Sequence, residues 1–357
     1  MDSAITVRTL TDGGQSALDV AGYVRDFLAG AKRTLELAHY DFNLGPETAA
    51  VVGGAIRQAA GRGVAVRIVY NVDHVNPIPV PPPSEPDMVL ISSLGVPSKP
   101  IAGIPDLMHH KYVIRDGETV LTGSTNWTDD SWTREENVFV IVASSALARA
   151  FELEFEELWS GLPVEETGKV EPRPVAVGSA EIRPWFTPGY GEELSHRIAK
   201  MIGRAKRRIR IASPIITAAP VLGTLAQVAS DAKVDLAGVV DLTQVQEVLY
   251  QWHGNGNAHW KIPLLVTSLE RATFSAKRST PWGRGTVHDF MHAKVTVADD
   301  EVFVGSFNLS HSGERNAENV LEIRDAELAD RLAAFIDGIR GRYPRITAAD
   351  LNQGARS

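Results

Sequence analysis

The stretch His109-His110-Lys111-Tyr112-Val113-Ile114-Arg115-Asp116, followed by Gly123-Ser124-Thr125-Asn126, occurs twice in this chain. It returns as His292-Ala293-Lys294, Asp299 and Gly305-Ser306-Phe307-Asn308. Both copies read His-x-Lys-x4-Asp and then Gly-Ser-x-Asn, and both carry a glutamate ten residues after that asparagine, Glu136 and Glu318. A lone His-x-Lys arises easily by chance among 10 histidines, but two copies with matched spacing do not. The duplication predicts one composite site built from two halves.

The rest of the chain repeats around these motifs. Thr34 to Tyr40 alternates like a strand, Ala49 to Ala60 has helical spacing ended by Gly61 and Gly63, and Val64 to Tyr70 is an apolar run suited to a buried parallel strand. The segments flanking Asp116-Gly117 read as a hairpin, Asn137 to Val142 as a strand and Ala146 to Trp159 as an amphipathic helix. In the second half Ala205 to Ala212 echoes Ala31 to Ala38. Val221 to Ser230 matches the first helix, Val234 to Val240 the buried strand, and Asn319 to Ile323 leads into a helix near Asp325 to Ile339. These are α/β units of roughly 170 residues, far longer than solenoid repeats. The expected domains are residues 1–165 and 172–345. The boundary lies in Gly161 to Ser179, which holds three prolines and little periodicity.

A length of 357 residues exceeds the usual single-core size. Hydrophobic content of 44% and charged content of 22% are ordinary for a globular protein. No run approaches the roughly 20 apolar residues of a membrane span. Met1 to Arg8 lacks the pattern of a signal peptide, so cytoplasmic residence is the expectation; a monomer is expected separately. The absence of cysteine excludes disulfides, thiolate metal sites and a cysteine nucleophile. A net charge of -8 argues mildly against avid nucleic-acid binding. Nine of the 20 prolines fall between Pro77 and Pro105; such a segment cannot join a central strand, and reads as a surface excursion over a sheet edge or as a wall of the substrate cleft.

A strand puts residues i and i+2 on one face, so His109 and Lys111 project together, as do His292 and Lys294. His110 points the other way, is replaced by Ala293 in the second copy, and reads as structural. Neutral imidazole is a competent nucleophile and imidazolium a competent acid. One histidine would attack phosphorus to give a phosphohistidine; the other would protonate the leaving oxygen and later activate water or an alcohol. Lys111, Lys294, Asn126 and Asn308 would stabilise the phosphoryl oxygens, with Ser124 and Ser306 adding hydroxyl hydrogen bonds. Glu136 and Glu318 are placed to hold the histidine nitrogens away from phosphorus. Asp116 and Asp299 sit where hairpin turns favour aspartate and support the site from there. Gly123 and Gly305 suit close backbone approach. A metal site of His, Asp and Glu is the rival chemistry, but two lysines would repel a divalent cation, and no cofactor is expected.

These residues resemble the duplicated His-Lys-Asp motif of the phospholipase D superfamily, and the match spans most of the chain. One departure is that Asp116 precedes Gly123 by seven positions whereas Asp299 precedes Gly305 by six, a difference that could shift Asp299. The resemblance implies two tandem α/β/α sandwich domains related by a pseudo-twofold axis. It also implies metal-independent phosphoryl transfer, with His109 as nucleophile and His292 as acid. It leaves the substrate open. For a phospholipid, with peripheral membrane contact, speak the acidic balance and a loop carrying Trp252, Trp260 and Trp282, whose rings equally suit ordinary packing. For a nucleic acid speak Arg271, Lys277, Arg278 and Arg284, together with Asn126-Trp127-Thr128, which resembles nuclease-like members. A non-catalytic scaffold is the remaining alternative. Phospholipid is the leading reading.

Overall fold

The computed structural model describes residues 4–72, 86–254, 256–281, 283 and 285–353. Strands of the first half are β1 (Ile5–Leu10), β2 (Thr34–His39), β3 (Phe42–Asn43), β4 (Ala65–Val72), β5 (Ser98–Ala102), β6 (Lys111–Arg115), β7 (Thr119–Gly123), β8 (Trp127–Thr128) and β9 (Asn137–Ala143). Its helices are α1 (Ala17–Ala29), α2 (Pro46–Gly61), α3 (Met88–Ser93), α4 (Asp129–Thr133) and α5 (Ser145–Ser160). The second half has β10 (Val175–Val177), β11 (Ala180–Thr187), β12 (Arg208–Ala212), β13 (Asp235–Asp241), β14 (Thr273–Lys277), β15 (Val295–Ala298), β16 (Glu301–Gly305) and β17 (Glu318–Arg324). Its helices are α6 (Gly191–Arg204), α7 (Ala219–Asp231), α8 (Leu242–Gly254), α9 (Ile262–Arg271), α10 (His311–Arg315), α11 (Ala326–Arg340) and α12 (Ala348–Gln353).

The main sheets run β1-β9-β7-β6-β2-β4-β5 and β10-β11-β17-β16-β15-β12-β13-β14. Strand for strand the second order repeats the first, with β10 added at one edge. Only β2/β4/β5 and β12/β13/β14 are parallel; the other pairs are antiparallel. The leading strands β1 and β11 were not legible in the apolar pattern. Pro100 lies in β5, an edge strand, where an amide missing from the ladder is tolerated. Prolines 77, 79 and 81–83 lie outside the described residues, so the excursion is represented by α3 and β5.

Helices cover both faces of each sheet. Phe27 and Leu28 of α1 and Val52 and Ile56 of α2 pack on Leu35, Leu37 and Val113 in one outer layer; Leu194, Leu222 and Leu265 of α6, α7 and α9 form the other. Between the sheets lie α5 and α11, whose Phe151, Phe155, Leu332 and Ile336 belong to one apolar cluster shared by both halves. The fold is thus mixed α/β with two sandwiches that share their inner helix layer. Burial of this common layer, on the order of 25 cal/mol per Å² of apolar surface, fixes one half against the other. The segment from Gly161 to Ser179 contributes a short 3-10 turn (Val164–Glu166) and β10, so it is built into the second sheet.

Gly123 and Gly305 end β7 and β16 at matching points. A Cβ on Gly123 would lie 1.9 Å from the Val138 carbonyl oxygen, and one on Gly305 2.1 Å from that of Asn319. No side chain fits there, and the close approach lets the Ser124 amide donate to Val138 O at 3.0 Å and the Ser306 amide to Asn319 O at 2.9 Å.

Candidate active site

Both motifs emerge at the carboxyl ends of the parallel strands. Lys111 pairs with His39, the last residue of β2, and Val295 pairs with Ala212, the last of β12. The histidines precede these pairs and are held by contacts between the halves. The His109 amide donates to Ala317 O at 2.8 Å, and Met291 bridges Glu136.

Each histidine meets a buried carboxylate from the opposite half. His109 Nδ1 lies 2.8 Å from both Glu318 oxygens. His292 Nδ1 lies 3.3 Å from Glu135 Oε2 and 3.1 Å from Asn137 Oδ1. The lysines are deployed identically: Lys111 Nζ donates to His109 O at 2.8 Å and Lys294 Nζ to His292 O at 2.7 Å. The Tyr40 ring packs on His109, 4.6 Å between centroids, and Lys111 Nζ stands 4.9 Å over the same ring.

Burial governs the protonation of this cluster. Desolvation, and then the charges of both lysines, hold His109 and His292 well below the usual histidine range. That each histidine senses the other motif's lysine shows that the two motifs converge. Desolvation lowers Lys111 and Lys294 to about 7 and raises Glu318 to about 7. Burial also pushes Glu135 up. Such opposed shifts, packed together, are characteristic of sites that move protons.

The geometry corrects one expected pairing. Glu135, not Glu136, faces His292. Glu136 turns instead toward Lys277, whose Nζ lies 3.1 Å away, and accepts a hydrogen bond from Tyr343 Oη. The cause is a one-residue offset between the crossings: Ala317 bridges Met108, but Glu136, not Glu135, bridges Met291. Glu135 then receives Ser131 Oγ at 2.7 Å and Asn137 Nδ2 at 2.9 Å. A Glu135-Glu136 doublet faces a single Glu318 in the repeat, and spacing alone selects the wrong member. The repeated Glu-Asn-Val (136–138 and 318–320) was the available signal for Asn137 and Asn319.

Asn126 and Asn308 are half-buried, and Asn126 Oδ1 has no hydrogen-bond partner among the described residues. Ser124 and Ser306 are fully buried; Ser124 Oγ donates to Asn137 Oδ1 at 2.7 Å, and both hydroxyls accept from the strand after the motif glutamate, from the Val138 and Asn319 amides at 3.0 Å. They brace the site rather than face a ligand. Asp116 and Asp299 lie at the far end of their hairpins, in the left-handed region at φ 58° and 52°. Asp116 accepts the backbone amides of Lys32, Arg33 and Thr34, and Asp299 those of Lys206, Arg207 and Arg208. The one-residue difference in spacing does not displace Asp299: three residues close the first hairpin and two the second. His110 points inward, with Nε2 3.1 Å from Glu154 Oε1 and Nδ1 3.2 Å from Asn319 Nδ2.

The expected substrate-binding cations fare differently. Lys277 is buried and spent on Arg134 O at 2.6 Å, Glu136 and Asp12, so it is not free to grip a polyanion. Arg278 is exposed and pairs with Asp350 at 3.5 Å. Arg271 is exposed at the end of α9. Trp282 and Arg284 lie outside the described residues. Trp252 packs partly buried against the second core, whereas Trp260 is 53% exposed. Among the described residues, no group of three or more His, Asp and Glu side chains is arranged to hold a metal ion, and no helix is long and apolar enough to cross a membrane.

Comparison with known proteins gives this geometry a family. Residues 24–159 and 198–339 each match the profile described as "Cardiolipin synthase, PLD-like domain". The chain belongs to the phospholipase D-like family. Curated relatives include mitochondrial cardiolipin hydrolases, 31% identical over 132 residues for the Xenopus laevis protein and 31% over 153 residues for the human one. These stretches cover 37% and 41% of this chain, and the chain spans about half the length of the relatives, 57% and 52%. The crystal structure of a phosphatidylserine synthase from Haemophilus influenzae superposes over 94% of this chain and 86% of its own with a TM-score of 0.64; at 13% identity the likeness is one of fold.

Proposed function

We propose that this phospholipase D-like protein is a metal-independent phosphodiesterase that acts on the head-group phosphodiester of a phospholipid. The observation that carries this reading is the crossed pair of histidine–carboxylate contacts, His109 with Glu318 and His292 with Glu135. A carboxylate on Nδ1 fixes the tautomer that leaves Nε2 free for phosphorus or for proton transfer.

In the first step His109 Nε2 attacks phosphorus, and the bond from phosphorus to the leaving alcohol breaks. His292 supplies the proton that the departing oxygen needs. In the second step water attacks the phosphohistidine, His292 takes the water's proton, and the nitrogen–phosphorus bond breaks to restore His109. Lys111, Lys294, Asn126 and Asn308 stabilise the phosphoryl oxygens as charge develops. The low proton affinity of His292 in the free site does not oppose its role as acid. An anionic diester offsets the field of both lysines and raises that affinity on binding.

The relatives' names and the family description support a phospholipid. So do exposed apolar side chains. Met88, Val89, Ile104, Tyr250 and Trp260 are exposed on the connections that follow parallel strands in sequence. Exposed apolar side chains of this kind suit contact with a lipid surface. The nuclease reading is weakened because Lys277 is consumed by internal contacts.

The test has two arms. Turnover of bis(p-nitrophenyl) phosphate is expected to persist in EDTA, with a phosphoryl adduct trapped on His109 and detected by peptide mass spectrometry. Loss of turnover on chelation overturns the metal-free chemistry, and an adduct on His292 reverses the roles. Phosphatidylglycerol vesicles and single-stranded DNA are then compared; cleavage of DNA alone overturns the lipid assignment.

A further inference from the structure

The two motifs are near-identical, but the walls beside them are not. At the end of β2 the chain reads His39-Tyr40-Asp41; at the equivalent end of β12 it reads Ser213-Pro214-Ile215. The second wall is internally satisfied, since Ser213 Oγ donates to Ile215 O at 2.6 Å and its other two side chains are apolar. The first wall is not. His39 is 1% exposed and Asp41 4% exposed, yet neither His39 ring nitrogen, nor Asp41 Oδ1, has a hydrogen-bond partner among the described residues.

Both side chains adjoin the catalytic cluster. His39 is the register partner of Lys111, so the two share a sheet face. The Asp41 carboxyl senses Lys111 and also Glu135, the carboxylate that holds His292, and its backbone is pinned by the Trp127 amide at 3.0 Å. It therefore lies within electrostatic reach of the lysine of one motif and the histidine support of the other. The His39 ring packs on Trp127, 3.9 Å between centroids, and that contact satisfies neither of its nitrogens. Leaving a buried polar atom unpaired costs on the order of 1–3 kcal/mol, so packing alone does not account for the bare His39 nitrogens and Asp41 Oδ1.

Resting on the phospholipid reading above, we propose that Asp41 and His39 form a hydroxyl-recognition subsite. It receives a hydroxyl-bearing portion of the substrate's head-group alcohol, while the Ser213-Pro214-Ile215 wall receives the apolar side of the phosphodiester. The protonation states fit this ligand: burial raises Asp41 to about 8 and holds His39 well below the usual range, so both are neutral near pH 7. A protonated carboxyl donates and a neutral imidazole nitrogen accepts, which matches an alcohol oxygen that does both. A cationic head group would meet Lys111 without an anion to offset it.

The experiment compares phosphatidylglycerol with phosphatidylmethanol, matched in acyl chains and charge, in mixed micelles. Wild type is expected to favour the glycerol head group by about tenfold or more in kcat/KM, because a site built to bond a hydroxyl rejects the analogue that lacks it. Asp41→Ile, which reproduces the second wall, should bring that ratio close to one, mainly through KM; Asp41→Asn, which keeps a donor, should retain part of it. His39→Ser should lower the ratio as well. Circular dichroism checks that each variant folds. A wild-type ratio near one, or an equal loss on both lipids in Asp41→Ile and Asp41→Asn, overturns the subsite while turnover of bis(p-nitrophenyl) phosphate upholds the chemistry. Failure to cleave either lipid, with DNA cleaved, overturns both the subsite and the reading it rests on.

Discussion

Replacing Glu318 by Gln tests the most constrained contact in the site. Glu318 is fully buried, and both of its oxygens lie 2.8 Å from His109 Nδ1. In the proposed mechanism His109 becomes cationic when it bonds to phosphorus, so the carboxylate is worth most in and after the first transition state. With charge centres roughly 4 Å apart and an effective dielectric of about 20, the attraction is about 4 kcal/mol. Glutamine restores a neutral hydrogen bond worth about 1 kcal/mol, leaving a deficit of about 3 kcal/mol, or roughly a hundredfold in kcat. The equivalent contact of His292 is longer, 3.3 Å, and shared with Asn137, so Glu135→Gln should cost less, roughly tenfold. The assay is kcat on bis(p-nitrophenyl) phosphate across pH, with urea unfolding to confirm that both variants are folded. Glu318 is raised to about 7 and Lys111 and Lys294 are lowered to about 7, so wild-type activity should pass through a maximum near that pH, rising as the Glu318 carboxylate forms and falling as the lysines lose their protons. Glu318→Gln should lack the rising limb. Activity within about threefold of wild type at every pH, or a greater loss from Glu135→Gln, would refute the reasoning.

Two further outcomes follow from groups outside the cluster. Asp116→Ala and Asp299→Ala each strand three backbone amides, so thermal unfolding should show a loss of about 1–3 kcal/mol, while kcat per folded molecule stays within about threefold; a large fall in kcat at unchanged stability would give these residues a chemical role. Glu154 is fully buried beside His110 and raised to about 8, so the folded state holds a proton that the unfolded chain releases near 4.5. Wild-type stability therefore declines as pH rises from about 4.5 to 8, by roughly 5 kcal/mol at most. Glu154→Gln should flatten that slope in urea titrations and be the more stable protein above pH 8 relative to pH 5; an unchanged slope rules this origin out.

Much of the architecture was written in the duplication. Repeats such as Ala31–Ala38 and Ala205–Ala212 mark equivalent strands because the core demands the same alternation in both halves. The strands that escaped, β1 and β11, lie at or near sheet edges and carry polar residues such as Arg8 and Arg183, so periodicity is weak there. Side-chain chemistry named the histidines and lysines correctly as neighbours, since i and i+2 on a strand must share a face. It could not choose between Glu135 and Glu136, because that choice depends on how the other half meets this one at Met291. Nor could it foresee that Lys277, in a basic stretch, would be turned inward by Glu136 and Asp12. Contacts between distant segments are invisible to local pattern.

The same reasoning explains why the two copies must differ. In the proposed reaction a symmetric pair of motifs places identical groups on both sides of phosphorus, yet attack and proton donation are different tasks. Symmetric surroundings would give both histidines the same proton affinity and let a diester bind in either sense. Two features break the degeneracy. One is the unequal carboxylate contact, bidentate at His109 and shared with Asn137 at His292. The other is the wall, polar and unsatisfied beside Lys111 but apolar at Ser213-Pro214-Ile215. The first biases which imidazole carries charge, and the second biases which way the diester lies. The two biases are separable: exchanging carboxylate for amide at Glu318 and Glu135 should change rates and pH limbs, whereas altering Asp41 should change the choice among head groups.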